Sequence, residues 1–218
     1  MSLKFYGNLA HLEDSLIVPN DSGKGLRVGR FAETSSFGWH DITAAIEVRG
    51  VGATDPDWAQ VGTTNHFAYK FAVNDKCWMT FHVPHDIVPG SDIHLHMHWF
   101  PDGTNANSVK WQFEYAYAKG FNQAAFDFAL AESPLTNAGI ATAESDGPGV
   151  QYQHMVSETS AITLPGLTEP DGLIHVAISR VTNGATDNTD GIFGLTADIH
   201  YQSTNMATKQ KAPNFYAD

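Results

Sequence analysis

The stretch "DIHLHMHWF", residues 92–100, decides the fold because it alternates strictly between two kinds of side chain. The polar positions are His94, His96 and His98, and the apolar positions are Leu95, Met97 and Trp99. Successive side chains of a β-strand point to opposite faces, so this period of two predicts a strand with one apolar and one histidine face. We therefore expect the apolar face in a core and the three imidazoles on the opposite side.

The same alternation recurs in several other stretches of the chain. It is clear in "KCWMTFHVP" (76–84) and in "SVKWQFEYAYAKG" (108–120). In "GIFGLTADIHYQ" (191–202) it places Phe193, Leu195, Ala197, Ile199 and Tyr201 on one face and Thr196, Asp198, His200 and Gln202 on the other. Further strands are predicted at 26–31, 40–49, 66–73, 126–131, 150–157 and 172–181, and helix signals are weak.

These patterns predict an all-β fold of about eight to ten strands. Long loops are expected at 50–65, 131–149 and 182–191. Many antiparallel strands have to protect their edges, so we expect an antiparallel jelly-roll-like β-sandwich with long loops and extended terminal arms. The predicted organisation is an N-terminal arm (1–25), one sandwich domain (26–202) and a C-terminal arm (203–218).

The composition excludes several classes of partner. Asp and Glu outnumber Lys and Arg by 24 to 12, and the formal net charge is −12. Such a field repels phosphate backbones and anionic lipids, so we expect no nucleic-acid and no membrane partner. The single cysteine, Cys77, indicates folding in a reducing compartment, and we expect synthesis in a cytoplasm. Cys77 alternates with core positions and is interpreted as a small buried hydrophobe.

The alternating histidines allow two interpretations. Side chains two apart on a strand are displaced by about 6.5–7 Å, so one ion binds at most two of the three histidines. A cupin-like metal motif fits Gly90, His96, His98 and Asp102 in spacing, with Asp in place of the expected Glu, but its closing glycine and second motif are missing. We favour histidines packed on a semi-polar sheet face or at a subunit interface, and we expect no cofactor and no enzymatic activity.

Two blocks of the sequence resemble a family of tailed-bacteriophage virion structural proteins. They are "FHVPHDIVPGSDIHLHMHWFPDGTNANSVKWQFEYAYAKG" and "GLIHVAISRVTNGATDNTDGIFGLTADIHYQ". The shared order is a Pro-His-Asp turn, Gly-x-Asp, the histidine strand closed by His-Trp, "W-x-F-E-Y" and a final "D-I-H-Y" strand. The matching positions are Pro84, His85, Asp86, Gly90, Asp92, His96, His98, Trp99, Trp111, Phe113, Glu114, Tyr115, Arg180, Asp190, Asp198, His200 and Tyr201.

The resemblance implies a jelly-roll head decoration or cement protein that binds the major capsid protein on the virion and forms a homo-oligomer, with a trimer favoured. The candidate interface residues are Lys4, Phe5, Tyr6, Trp58, Phe215 and Tyr216. Exposed aromatic residues favour a protein interface over a sugar site. Two alternatives stay open: a tail or fibre component that binds host carbohydrate, and a cupin-like metal-binding protein.

Overall fold

The computed structural model describes residues 15–19, 26–30, 38–49, 54–128, 137–205 and 207–217. The strands are β1 (Ser15–Pro19), β2 (Leu26–Arg30), β3 (Gly38–Ala44), β4 (Asp57–Gln60), β5 (Phe67–Phe71), β6 (Lys76–His82), β7 (Ile93–Pro101), β8 (Val109–Ala118), β9 (Ala138–Ser145), β10 (Met155–Glu158), β11 (Leu173–Val181) and β12 (Ile192–Ser203). A short 3-10 turn spans Gly184–Thr186. Among these residues, no helix has the length and apolar character needed to cross a bilayer.

Strands β3–β12 form an antiparallel β-sandwich with jelly-roll order, as the sequence predicted, and β1 and β2 form a separate two-stranded sheet. One sheet has six strands in the order β10-β7-β12-β5-β4, with β3 also pairing with β12. The other has four strands in the order β6-β11-β8-β9. From β5 to β12 the chain passes from one sheet to the other at every connection except the β8–β9 hairpin, which is the connectivity of a jelly roll.

The core lies between the two sheets and confirms the predicted faces of β7. Leu95, Met97 and Trp99 are buried in it and face apolar side chains of the four-stranded sheet. The ring centroids of Phe71 on β5 and Trp111 on β8 lie 5.2 Å apart, which joins the two sheets directly. Cys77 is fully buried, and this burial raises the pKa of its thiol to about 12. Cys77 is therefore a core residue with no thiolate character at neutral pH.

A β-bulge corrects the predicted faces of β12. Gly194 pairs with Trp99, but the next pair on β12 is Thr196 with His98, so Leu195 has no counterpart on β7. The bulge reverses the alternation, because one unpaired residue shifts every side chain before it to the other face. Phe193 consequently stacks on Phe100 rather than sharing the core face with Ala197, Ile199 and Tyr201.

The predicted loops contain two strands that the pattern missed. Residues 138–145 form β9, which pairs with β8, although 131–149 was predicted to be a loop. Residues 57–60 form β4 inside the predicted 50–65 loop. The part of the predicted strand 126–131 that is described, 126–128, is not a strand. Strand β1 (15–19) pairs antiparallel with β2 (26–30), so residues of the predicted N-terminal arm pair with residues of the predicted domain.

The lack of space for a side chain at Gly194 can be used to test the packing between β12 and β7. A Cβ at this position would collide with Met97 and would lie 2.7 Å from the ring of Phe71. We expect Gly194→Ala to lower the free energy of unfolding by about 1–3 kcal/mol, because the core has no room for the methyl group. Urea unfolding checks this value. Gly38→Ala is the matched control, since the nearest atom to its Cβ is 3.9 Å away; equal losses in the two variants would contradict the packing argument.

Candidate functional site

The outer face of the six-stranded sheet carries a dense group of histidines and carboxylates. Four strands contribute to it: β7 carries His96 and His98, β12 carries Asp198 and His200, β10 carries Glu158, and β3 carries Asp41. The register puts Asp198 and Glu158 directly opposite His96, one on each side. We call the histidine–carboxylate cluster the set Asp41, His96, His98, His154, Glu158, Asp198 and His200.

His96 lies at the centre of this cluster and is 3% exposed. Its Nε2 lies 2.6 Å from Oε2 of Glu158, and its Nδ1 lies 3.2 Å from Oδ1 of Asp198. The ring of His200 lies against the ring of His96, with centroids 3.7 Å apart. Both nitrogens of a buried imidazole thus face carboxylates.

The neighbouring histidines extend the network in two directions. Nε2 of His98 lies 3.0 Å from Oδ2 of Asp198, and its Nδ1 lies 2.9 Å from Nε2 of His154. Nε2 of His200 lies 2.6 Å from Oδ1 of Asp41 on β3. Asp198 is therefore shared between two imidazoles of β7.

Two groups in the cluster have shifted pKa values. Burial by itself would lower the pKa of His96, but the carboxylates of Asp198 and Glu158 outweigh it and raise that pKa. Burial would likewise raise the pKa of Asp198, but hydrogen bonding and charge interaction with His96 and His98 lower it. Because the pKa of His96 is raised and that of Asp198 is lowered, the two side chains stabilise each other's charged forms.

The structure brings only two of the three predicted metal candidates together. His96 and His98 lie side by side, but the carboxylate next to both is Asp198, not Asp102. Asp102 follows the end of β7 and turns toward the start of β12. There, its Oδ2 accepts a hydrogen bond from Nζ of Lys70 at 2.9 Å and its Oδ1 accepts one from the amide of Gly191 at 2.7 Å.

The third histidine of β7, His94, has a different role. Its Nδ1 lies 3.0 Å from the backbone carbonyl of Thr159, and its ring meets the edge of Trp39. It shares the outer face with the cluster but belongs to none of the groups whose ligand atoms converge. His94 is thus a packed histidine of the kind expected from the sequence.

Trp58, a predicted interface residue, is exposed beside an apolar groove. Its side chain is 61% exposed and stacks nearly parallel to Phe67, which is 49% exposed. Phe67 also lines a groove of about 410 Å³ on this side of the sandwich. The other lining residues are Val61, Thr64, His66, Ala68, Phe100, Tyr152 and Leu195.

The C-terminal candidates have a different environment from the one predicted. Phe215 is only 1% exposed, so the expectation that it presents a free aromatic surface is wrong. Its ring packs against the rings of His85 and Phe121, and the amide of Thr208 donates a hydrogen bond to the carbonyl of His85. Burial raises the pKa of the neighbouring Tyr216 to about 12. Residues 207–217 therefore pack against the sandwich of the same chain. The N-terminal interface candidates Lys4, Phe5 and Tyr6 lie outside the described residues.

The sequence missed the partners of the histidines because they come from distant strands. Asp198 and His200 were placed on one face of their strand, which was a usable signal. Glu158, His154 and Asp41 gave no such signal, since nothing in their local sequence fixes which strand they pair with. Only the register of β3, β7, β10 and β12 makes them neighbours.

The comparisons with known proteins give only distant likenesses. No family model and no curated protein matches the chain. One similar solved structure is that of TmCBM61 in complex with beta-1,4-galactotriose, at 10% identity over 75% of this chain and 84% of that chain, with a TM-score of 0.23. Another belongs to work on the promiscuous specificity of carbohydrate-binding modules from the β-sandwich superfamily, at 12% identity over 87% of this chain and 71% of that chain, with a TM-score of 0.29. Similarity this low carries no argument about function.

The burial of Phe215 can be tested by proteolysis. We expect Phe215→Ala to loosen residues 207–217, because removing a buried phenyl ring costs about 3–5 kcal/mol. Trypsin should then cut after Lys209 and Lys211 on the order of 100-fold faster, since cleavage follows the population of the opened segment. Phe128→Ala, which removes an exposed ring, is the control. Unchanged cleavage in Phe215→Ala would contradict the docking of the C-terminal segment.

Proposed function

We propose that this chain is a non-enzymatic structural protein of a tailed-bacteriophage virion that binds the major capsid protein lattice as a decoration or cement protein. One observation carries the proposal: Trp58 and Phe67 form an exposed aromatic surface that continues into an apolar groove. The virion assignment itself comes from the two sequence blocks that resemble phage structural proteins.

The exposed aromatics do not complete the core of the sandwich. The core already contains buried tryptophan, phenylalanine and aliphatic side chains from both sheets. Trp58 packs on Tyr69 at the edge of the sheet, and Trp58 and Phe67 still leave about half or more of their apolar surface in water. Contiguous apolar surfaces of this kind mark interaction sites, and aromatic residues are enriched at the centres of protein interfaces.

The chemistry of the groove favours a protein partner. Its walls are mainly aromatic rings and aliphatic side chains, with polar atoms contributed by Thr64, His66 and Tyr152. A sugar brings many hydroxyl groups, and a hydroxyl buried without a hydrogen bond costs about 1–3 kcal/mol. An apolar side chain from a protein partner has no such cost and fits this groove better.

Binding of this kind explains how the protein would stabilise a capsid. A ligand that prefers the mature shell shifts the equilibrium toward it by its differential affinity. The resemblance implies that copies of this chain bind to many equivalent sites of the lattice, in homo-oligomers for which we favour a trimer. The location of the protein would then be the virion.

Reconstitution tests the proposed function. We expect the purified chain to bind capsids that lack it and to restore their resistance to heat. Trp58→Ala combined with Phe67→Ala should weaken binding by at least about 10-fold, because truncating an aromatic residue at the centre of an interface costs about 2 kcal/mol or more. Co-sedimentation with capsids measures the binding.

The control for this experiment is Phe128→Ala, an exposed aromatic residue packed against His175 of the other sheet. This variant should bind as the original chain does. Absence of binding by the original chain, with unchanged heat resistance of the capsids, would reject the proposed function.

Carbohydrate binding is the second candidate function, for a tail or fibre component. The observation that favours it is the ring of Trp58, which is exposed and nearly parallel to Phe67, at an interplanar angle of 17°. Sugar rings stack on exposed aromatic faces of this type. A glycan array should then show binding that disappears in Trp58→Ala, and an array without any bound glycan would count against this candidate.

A further inference from the structure

Three potential ligand atoms converge between β7 and β12. They are Nδ1 of His96, Nε2 of His98 and the carboxylate of Asp198. Oδ1 of Asp198 lies 3.2 Å from the first nitrogen, and Oδ2 lies 3.0 Å from the second. The two distances involve different oxygens of the carboxylate and are of hydrogen-bond length. They also lie near the separation of about 3.3–3.4 Å between ligand atoms of a tetrahedral ion with bonds of about 2.0–2.1 Å.

In both His96 and His98, the ring nitrogen that points away from Asp198 already has a hydrogen-bond partner. Nε2 of His96 faces the Glu158 carboxylate at 2.6 Å, and a carboxylate accepts a proton that the ring donates. Nδ1 of His98 faces Nε2 of His154 at 2.9 Å. Histidines that bind metals donate their other ring N–H to such acceptors, and this fixes the tautomer and the ring orientation. Without an ion, the nitrogens of His96 and His98 that face Asp198 donate protons to its carboxylate. With an ion bound, the same two nitrogens would present lone pairs to it.

Burial makes an unpaired oxygen of the Asp198 carboxylate costly. His96 and Asp198 are both at least nine-tenths buried. Oδ1 of Asp198 is buried and has no well-aligned hydrogen-bond donor among the described residues. An unpaired buried acceptor is costly, and either a proton on His96 or a metal ion between these atoms would stabilise this oxygen.

We propose that His96, His98 and Asp198 form a binding site for a divalent transition-metal ion of the Zn²⁺ type on the outer face of the six-stranded sheet. Two imidazole nitrogens and one carboxylate are a ligand set suited to Zn²⁺ and its first-row neighbours. His98 is one-fifth exposed, so an ion can reach the site from solvent. The acidic character of the whole chain adds to the attraction for a cation.

Two other sets of side chains on this face converge less favourably. The set His96, Glu158 and His200 uses a carboxylate that is half exposed, and the set Asp41, Asp198 and His200 includes an aspartate of similar exposure. In the first set each imidazole also has a carboxylate behind it, Asp198 behind His96 and Asp41 behind His200. The proposed site is therefore distinguished by its ligand carboxylate, because Asp198 is buried whereas Glu158 and Asp41 are about half exposed.

Metal titration of the purified full chain tests the proposal. The chain is prepared without a histidine tag, stripped with a chelator and titrated with Zn²⁺ by calorimetry and with Co²⁺ by absorption spectroscopy. We expect one ion per chain and a Co²⁺ spectrum typical of four-coordination. His98→Ala and Asp198→Asn should each weaken Zn²⁺ binding by at least about 100-fold, and Glu158→Gln by about 10-fold through loss of support for His96.

His94→Ala is the matched control, since it removes a histidine of the same strand and face without touching the proposed ligands. Circular dichroism of each metal-free variant checks folding, and the partly exposed His98 keeps the test decisive if Asp198→Asn does not fold. No Zn²⁺ binding by the original chain would overturn the proposal. Binding that survives His98→Ala but is lost in His200→Ala would also overturn it. These measurements need no capsid, so their outcome is independent of the proposed virion function.

Discussion

The contact of Leu95, Met97 and Trp99 with the opposite sheet is the constraint on which the rest of the molecule depends. These three side chains are fully buried, and together they fix which way β7 faces. Because a strand alternates its side chains, this burial forces the intervening histidines onto the outer face. A slip of one residue in the register would place imidazoles in the core and remove the histidine–carboxylate cluster at once.

The fold could be predicted from the sequence where large apolar side chains alternate with polar ones. β7, β8 and β11 have this pattern, and the structure confirms them. β9 lacks it: its buried positions are small, including Ala138 and Ala143, and Gly139 lies under the ring of Tyr115. Small residues there allow close packing on β8 but give no hydrophobic period. The bulge at Leu195 was missed for a related reason, since a single unpaired residue leaves no mark in a regular-looking pattern.

About half of the candidate site could be predicted from the sequence. The sequence placed His96 and His98 on one face, and it placed Asp198 and His200 on one face of another strand. It chose Asp102 as the nearby carboxylate because that residue is close along the chain. Asp198, about a hundred residues away in sequence, is close in space because β12 lies beside β7 with these residues in register. Local spacing cannot reveal a register between distant strands.

One face of the sandwich thus holds two chemically different regions, and β12 runs through both. Its residues Phe193 and Leu195 lie near the groove, whereas Asp198 and His200 belong to the histidine–carboxylate cluster. The unpaired Leu195 separates them, and the strand would keep its alternation on both sides if that residue were absent. Deletion of this one residue would therefore reshape a wall of the groove while the core and the imidazoles keep their positions. Evolution can alter the two regions of this surface separately.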